Sequence, residues 1–228
     1  MPDEDLLSIL GDAPIFIGLD EQTLTYLARV SHIKNLSKGQ AVFYQGDPGD
    51  AAYLVVKGKV AIVLSTPDGR ELVINEMGAG DCFGELALLL DEPRSASAVA
   101  GEATQVVWIP CDQFLAEVEA QPKLMRHLLE TVASRLRNSG ERESALAFLH
   151  APARLAQFLL QRAERSRVSK NLVTISQWEL AQHIGVTRQT VAKILGKWRR
   201  DGWIITGRGR TMLVDRKALE KLAEETQI

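Results

Sequence analysis

Sulfur is scarce in this chain: Cys82 and Cys111 are its only cysteines, too few for a four-thiolate cluster and too widely spaced for a CxxC redox pair. Both are expected to be reduced, buried thiols. Its four histidines, His32, His127, His150 and His183, include no HxH or HExxH spacing, so a cupin or zincin metal enzyme is unsupported. No Walker lysine and no nucleophile paired with a base can be assembled, so no catalytic activity and no prosthetic group is expected. No run of about 18 apolar residues occurs, and the opening MPDEDLLSIL is acidic before a short apolar stretch. Neither a membrane span nor a secretory signal is expected, which points to the cytoplasm.

What is present is the balance of a soluble globular protein, 46% hydrophobic and 25% charged over 228 residues, with room for two domains. The net charge of −2 hides an asymmetry. Residues 1–150 hold 12 Lys and Arg against 22 Asp and Glu, a charge of −10, whereas residues 151–228 hold 15 against 7, a charge of +8. A basic C-terminal third on an acidic body suggests that only the tail meets a polyanion.

From Ser37 to Pro110 short apolar or β-branched runs, AVFYQ, AYLVV, KVAIVL, ELVINE, SASAVA and TQVVWI, alternate with glycine turns such as GDPGD, TPDGR and MGAGD. That rhythm predicts an antiparallel barrel or roll. The segment LDEQTLTYLARV ahead of it places Leu19, Thr23, Leu27 and Val30 on one helical face. After Pro122 the period becomes helical, with a seam at Leu124, Leu128, Val132, Leu136, Ser139, Glu143 and Leu146. A single helix of this length would leave part of its seam exposed on a small roll, so a coiled-coil-like contact with a second copy is expected. Pro152 in HAPAR serves as a helix-start proline and marks a hinge. The domains expected are therefore a roll over 1–121, a dimerisation helix and hinge over 122–150, and a basic domain over 151–228.

Within the basic third, Ser176 and Glu179 fit a capping box, Gly185 supplies a tight turn, and Thr187 is a second N-cap for RQTVAKILGKW. The arrangement is helix, glycine turn, helix. Val191, Ile194, Leu195 and Trp198 share the inward face of the second helix, and Arg188, Gln189, Ala192 and Lys193 face outward near its start. Those are the positions from which a helix-turn-helix reads base edges in the major groove. The following DGWIITGRGRTMLVD reads as a two-stranded wing whose Arg208 and Arg210 could hold phosphates.

The layout of roll, long helix and winged helix-turn-helix resembles the cyclic-AMP receptor protein/FNR family of bacterial transcription regulators over nearly the whole chain. The expected fold is thus α+β: an antiparallel β-roll of the cyclic-nucleotide-binding, double-stranded β-helix type, a dimerisation helix and a winged helix-turn-helix. In the segment from Gly185 to Leu195, which is similar to the family's recognition helix, Thr187 and Arg188 are kept, Gln189 replaces the family's glutamate and Lys193 replaces its second arginine. Glutamine suits adenine where glutamate accepts from cytosine, so the half-site preference stays open.

FGELALLLDEPRSA, from Phe83, resembles the phosphate-binding cassette of cyclic-nucleotide-binding domains. The resemblance implies that Arg94 and the Ser95 hydroxyl hold a cyclic phosphate, with Gly84 letting the backbone of Glu85, Leu86 and Ala87 approach it, and that Glu85 accepts from the ribose hydroxyl. It also places Arg135 where an arginine pairs with the cassette glutamate and Ser139 where a threonine meets adenine. Gly140 stands where the family's cyclic-AMP receptor has a serine reaching from the partner subunit. Cyclic AMP is therefore the first effector to consider, with cyclic GMP or another nucleotide open.

The family implies a homodimer on a double-stranded DNA operator, control of DNA affinity by the effector through the long helix, and RNA polymerase as a further partner. Two other readings remain at this point. One is a regulator of the same fold that is effector-independent or senses a non-nucleotide signal. The other is a cyclic-nucleotide-binding regulatory module of an enzyme, against which the basic winged C-terminus speaks.

Overall fold

The computed structural model describes residues 2–66, 71–166 and 169–224; for residues 2–4, 141, 142 and 144–148 only the backbone is described. Two compact units divide after Leu136. The first contains α1 (Pro2–Gly11), a 3-10 turn at Pro14–Phe16, α2 (Glu21–Val30), the strands β1 (His32–Leu36), β2 (Ala41–Phe43), β3 (Ala51–Lys57), β4 (Val60–Ser65), β5 (Glu71–Met77) and β6 (Cys82–Phe83), the short helix α3 (Glu85–Leu90), β7 (Ser97–Ala100), β8 (Thr104–Pro110) and α4 (Cys111–Ala120). The helix α5 (Pro122–Phe148) continues beyond it. The Pro67-Asp68-Gly69 turn expected between β4 and β5 lies outside the described residues.

Among the described residues the strands form two antiparallel sheets, ordered β1-β8-β3-β6 and β2-β7-β4-β5. The central strand β3 shows why AAYLVVK forms a strand with no polar face. Its two alternating sets of side chains enter two different cores. Ala52 and Leu54 pack with Leu10, Phe16, Leu27, Phe114 and Leu124 beneath the helices. Ala51, Tyr53 and Val55 face the inside of the roll with Val60, Met77, Phe83, Ala98 and Val106. Each large apolar side chain fully buried in this way stabilises the fold by about 1.5–3 kcal/mol.

Three details differ from the sequence reading. Leu19 precedes α2, because the Asp20 side chain accepts from Thr23 N at 2.8 Å and starts the helix there. The seam of α5 is not one face. Leu124 and Leu128 join the core of the first unit, Val132 is half-buried, and Leu136 is 74% exposed, beside the exposed apolar side chains Met125 (48%) and Leu129 (67%). Ser139 and Glu143 are exposed, and the Leu146 side chain lies outside the described residues. Cys82 is buried, but Cys111, at the start of α4, is partly exposed.

The second unit holds α6 (Ala151–Glu164), β9 (Leu172–Thr174), α7 (Gln177–Ile184), α8 (Arg188–Arg200), β10 (Ile204–Gly207), β11 (Arg210–Leu213) and α9 (Arg216–Ala223). His150 caps α6, its Nδ1 accepting from Ala153 N at 3.2 Å. Ser176 and Glu179 complete the capping box of α7, and Gly185 ends that helix at φ 68°. That left-handed turn, which glycine enters without steric cost, redirects the chain into α8. Trp198, Val191 and Leu195 of α8 close a core with Leu155, Leu159, Leu180, Ile204, Leu213 and Leu219. Strands β10 and β11 pair as a hairpin, with β9 on the far side of β11. The fold is α+β: an antiparallel roll, a long helix and a winged helix-turn-helix. Among the described residues no helix is long and apolar enough to cross a membrane.

Candidate functional site

The two opposite charges of the stretch from Phe83 to Val99 do not pair with each other. Glu85 opens α3, just after Gly84, whose φ of 83° is a conformation that side-chain-bearing residues avoid. A Cβ on Gly84 would lie 2.9 Å from Arg94 Nη1 and 3.2 Å from the Tyr53 ring, so the position is closed to any larger residue by space as well as by backbone geometry. Glu85 is 1% exposed, and its Oε1 accepts from Arg135 Nη1 of α5 at 2.5 Å. Arg135 also donates to the Cys82 carbonyl oxygen and, at 3.7 Å, to Met77 Sδ. The other carboxylate oxygen, Glu85 Oε2, is buried and has no partner among the described residues.

Arg94 is 2% exposed and turns the other way. Its Nη1 donates to Gly84 O at 2.6 Å, and its Nη2 donates to Asp50 Oδ1 and Ala51 O, both at 2.8 Å. The guanidinium lies 4.3 Å from the centre of the Phe43 ring and 5.7 Å from that of Tyr53. Its Nε is buried, with no acceptor among the described residues. The planar fork is therefore already engaged by protein oxygens, so an anion can reach it only by sharing or displacing them. Each of these two buried charged groups thus keeps one polar atom unsatisfied among the described residues, an acceptor on the carboxylate and a donor on the guanidinium.

Burial dominates the electrostatics. It pushes the Glu85 carboxyl above the usual carboxylate range, with the Arg135 guanidinium pulling against it. Burial likewise pushes the Cys82 thiol far up, the Glu85 carboxylate adding to the effect. The Tyr53 hydroxyl is pushed up to about 12 by burial and by the Asp50 carboxylate. Cys82 is thus an inert thiol, and Tyr53 is a neutral phenol throughout the physiological range.

Gly84, Glu85, Arg94 and Arg135 come together here. Ala87 is buried behind them, whereas Leu86 and Ser95 are exposed. Ser139 belongs to the second unit, where its hydroxyl donates to Glu143 Oε1 at 3.4 Å. A Cβ on Gly140 would meet nothing within 4 Å. Asp50 was missed in the sequence. Its stretch, GDPGD, reads only as a turn, and its partner Arg94 is 44 residues away.

In the second unit the outward side chains of α8 are free of the core. Thr187 caps the helix, its Oγ1 accepting from Thr190 N at 3.2 Å, and Arg188, Gln189, Ala192 and Lys193 are exposed on the face opposite Val191, Leu195 and Trp198. Arg208, in the turn between β10 and β11, and Arg210, at the start of β11, are exposed. The wing is tied to the start of α7, since Ile175 N donates to Gly209 O at 2.9 Å. A basic helix face next to a basic hairpin tip can hold phosphates and present donors to base edges.

Both units match known domain families. The cyclic nucleotide-binding domain family matches residues 33–121, and the Crp-like helix-turn-helix domain family matches residues 153–222. The chain is 33% identical over 223 residues to the CRP-like cAMP-activated global transcriptional regulator of Mycobacterium tuberculosis, covering 94% of this chain and 98% of that one. It is 32% identical over 211 residues to the cyclic AMP receptor protein of Thermus thermophilus, covering 92% and 97%. Among solved structures, a CRP/FNR-family transcriptional regulator, also from Thermus thermophilus, superposes with a TM-score of 0.72 at 28% identity, over 86% of this chain and 100% of the other. The c-di-GMP-responsive global regulator of Xanthomonas campestris shares the fold, with a TM-score of 0.78 at 24% identity over 85% of this chain and 99% of that one.

Proposed function

Since the chain belongs to the cyclic-AMP receptor protein/FNR family of transcription regulators, we propose that it is a homodimeric, sequence-specific DNA-binding regulator whose operator affinity is raised or lowered by cyclic AMP. The observation that carries the effector reading is the pair of buried atoms without a partner among the described residues, Glu85 Oε2 and Arg94 Nε, in one short motif. A cyclic nucleotide offers a ribose hydroxyl to the first and a singly charged phosphate to the second. Gly84, Glu85, Leu86, Ala87, Arg94 and Ser95 would line the sugar-phosphate, and Arg135 would hold Glu85 in place. Ser139 would meet the base. Relatives named for cAMP activation at about a third identity favour cyclic AMP over other nucleotides.

In the DNA-binding unit, Arg188, Gln189 and Lys193 would read base edges, and Thr187, Arg208 and Arg210 would hold phosphates. Arginine matches the two acceptors of guanine, and glutamine the acceptor and donor of adenine. Like its relatives, the protein is a regulator and not an enzyme. The apolar stripe of exposed Met125, Leu129 and Leu136 with half-buried Val132 on α5 supports the homodimer, and RNA polymerase would be the further partner.

The test is selection of DNA sites from a random pool by the full chain with and without cyclic AMP at one salt concentration, since salt alone moves such affinities. A palindromic site whose affinity changes with cyclic AMP is expected. Unchanged operator affinity at saturating cyclic AMP would remove the effector reading. Arg94→Ala should weaken cyclic AMP at least about tenfold while sparing nonspecific DNA affinity. Arg188→Ala should cost roughly 1–3 kcal/mol on the selected site and relax discrimination there.

A further inference from the structure

Resting on the reading of this site as a cyclic-nucleotide pocket, we propose that Asp50 is a specificity residue: it makes the pocket select a singly charged cyclic phosphodiester over the doubly charged phosphate monoester of the same nucleoside. Arg94 is the cassette cation with a buried donor unfilled, since its Nε has no acceptor among the described residues, whereas Arg135 is tied to Glu85 at 2.5 Å. Asp50 already occupies one terminal nitrogen of Arg94 at 2.8 Å. Any anion that shares this guanidinium therefore lies next to a fixed carboxylate, and the repulsion grows with the charge the ligand brings.

The carboxylate cannot be carried away with its backbone. Asp50 O accepts from Cys111 N at 2.9 Å, and the loop before it is pinned to the cassette by Gly46 N to Arg94 O and Arg94 N to Asp47 O, each 2.8 Å. The same loop is fitted against α3, where a Cβ on Gly49 would stand 3.0 Å from Ala87 Cβ. The Tyr53 hydroxyl and the Cys111 thiol, the titratable groups beside Asp50, are both pushed up, chiefly by burial, so both stay neutral and do not alter this charge balance. The Asp50 side chain is 59% exposed, so it adds little to the core and its charge can be removed without opening a cavity.

The experiment is calorimetric titration of the full-length protein and of Asp50→Asn and Asp50→Glu with cyclic AMP and with 5′-AMP, at pH 7.5 and pH 5. The second phosphate proton of a monoester leaves near pH 6, so 5′-AMP is doubly charged at the higher pH and singly charged at the lower. For the natural protein, the preference for cyclic AMP should narrow on going to pH 5. At pH 7.5 Asp50→Asn should narrow it roughly tenfold, and Asp50→Glu should keep it. A preference that Asp50→Asn leaves unchanged, or that in the natural protein ignores pH, overturns the inference while leaving the pocket standing. Failure of the natural protein to bind cyclic AMP overturns the pocket reading, and this inference with it.

Discussion

Burial pushes the Glu85 carboxyl above its ordinary value of 4.5 even with Arg135 at 2.5 Å, whereas Arg216 at 2.6 Å holds the exposed Glu164 below that value. The two should leave opposite marks on stability. In the folded roll Glu85 binds its proton more tightly than in the unfolded chain. Its contribution is therefore fully present below about pH 4.5 and is lost as pH rises through the raised folded value. Glu164 behaves the other way: its contribution is present above 4.5 and is lost as pH falls through the lowered one. Thermal melts from pH 4 to pH 7 should show Glu85→Gln gaining on the natural protein as pH rises and Glu164→Gln falling behind. Parallel curves for both variants would refute the assignment of their surroundings.

At the end of α8 that would face DNA, Thr187 Oγ1 satisfies the Thr190 amide. Thr187→Ala should cost about 1 kcal/mol of the second unit's stability, and Thr187→Ser should restore it; melting of that unit measures both. This cap, the capping box of α7 and the left-handed Gly185 were legible in the sequence, because caps and turns are local and act over three or four residues. So was the cassette, whose residues lie within a dozen positions. The strand β1 was not: HIKNL sets Lys34 and Asn35 among apolar residues at a sheet edge and shows no clean alternation. Nor was β6, whose two residues are too few to show a period. Asp50 and Arg135 lie 44 and 50 residues from the side chains they bind, and ion pairs at such separations leave no spacing to read. Arg135 was reached only through family resemblance, and Asp50 only through the structure.

The charge division of the chain, −10 over residues 1–150 and +8 over 151–228, confines attraction for a polyanion to one end, so a single copy would hold DNA with one small basic unit. Two copies would double the phosphate contacts and could bring two α8 helices to half-sites about one DNA turn apart. The exposed apolar stripe of α5 is where such a pair would form. Its members Met125, Leu129, half-buried Val132 and Leu136 recur every three or four residues on the flank next to the face that Leu124 and Leu128 bury. Dimerisation should therefore be removable without damage to the roll core. Leu129→Asp combined with Leu136→Asp, at side chains 67% and 74% exposed, should yield a folded monomer by analytical ultracentrifugation. That monomer should bind a single half-site and show a shallower dependence of affinity on salt, because it releases fewer counterions. A double variant that remains dimeric and keeps full operator affinity would place the dimer contact elsewhere than on α5.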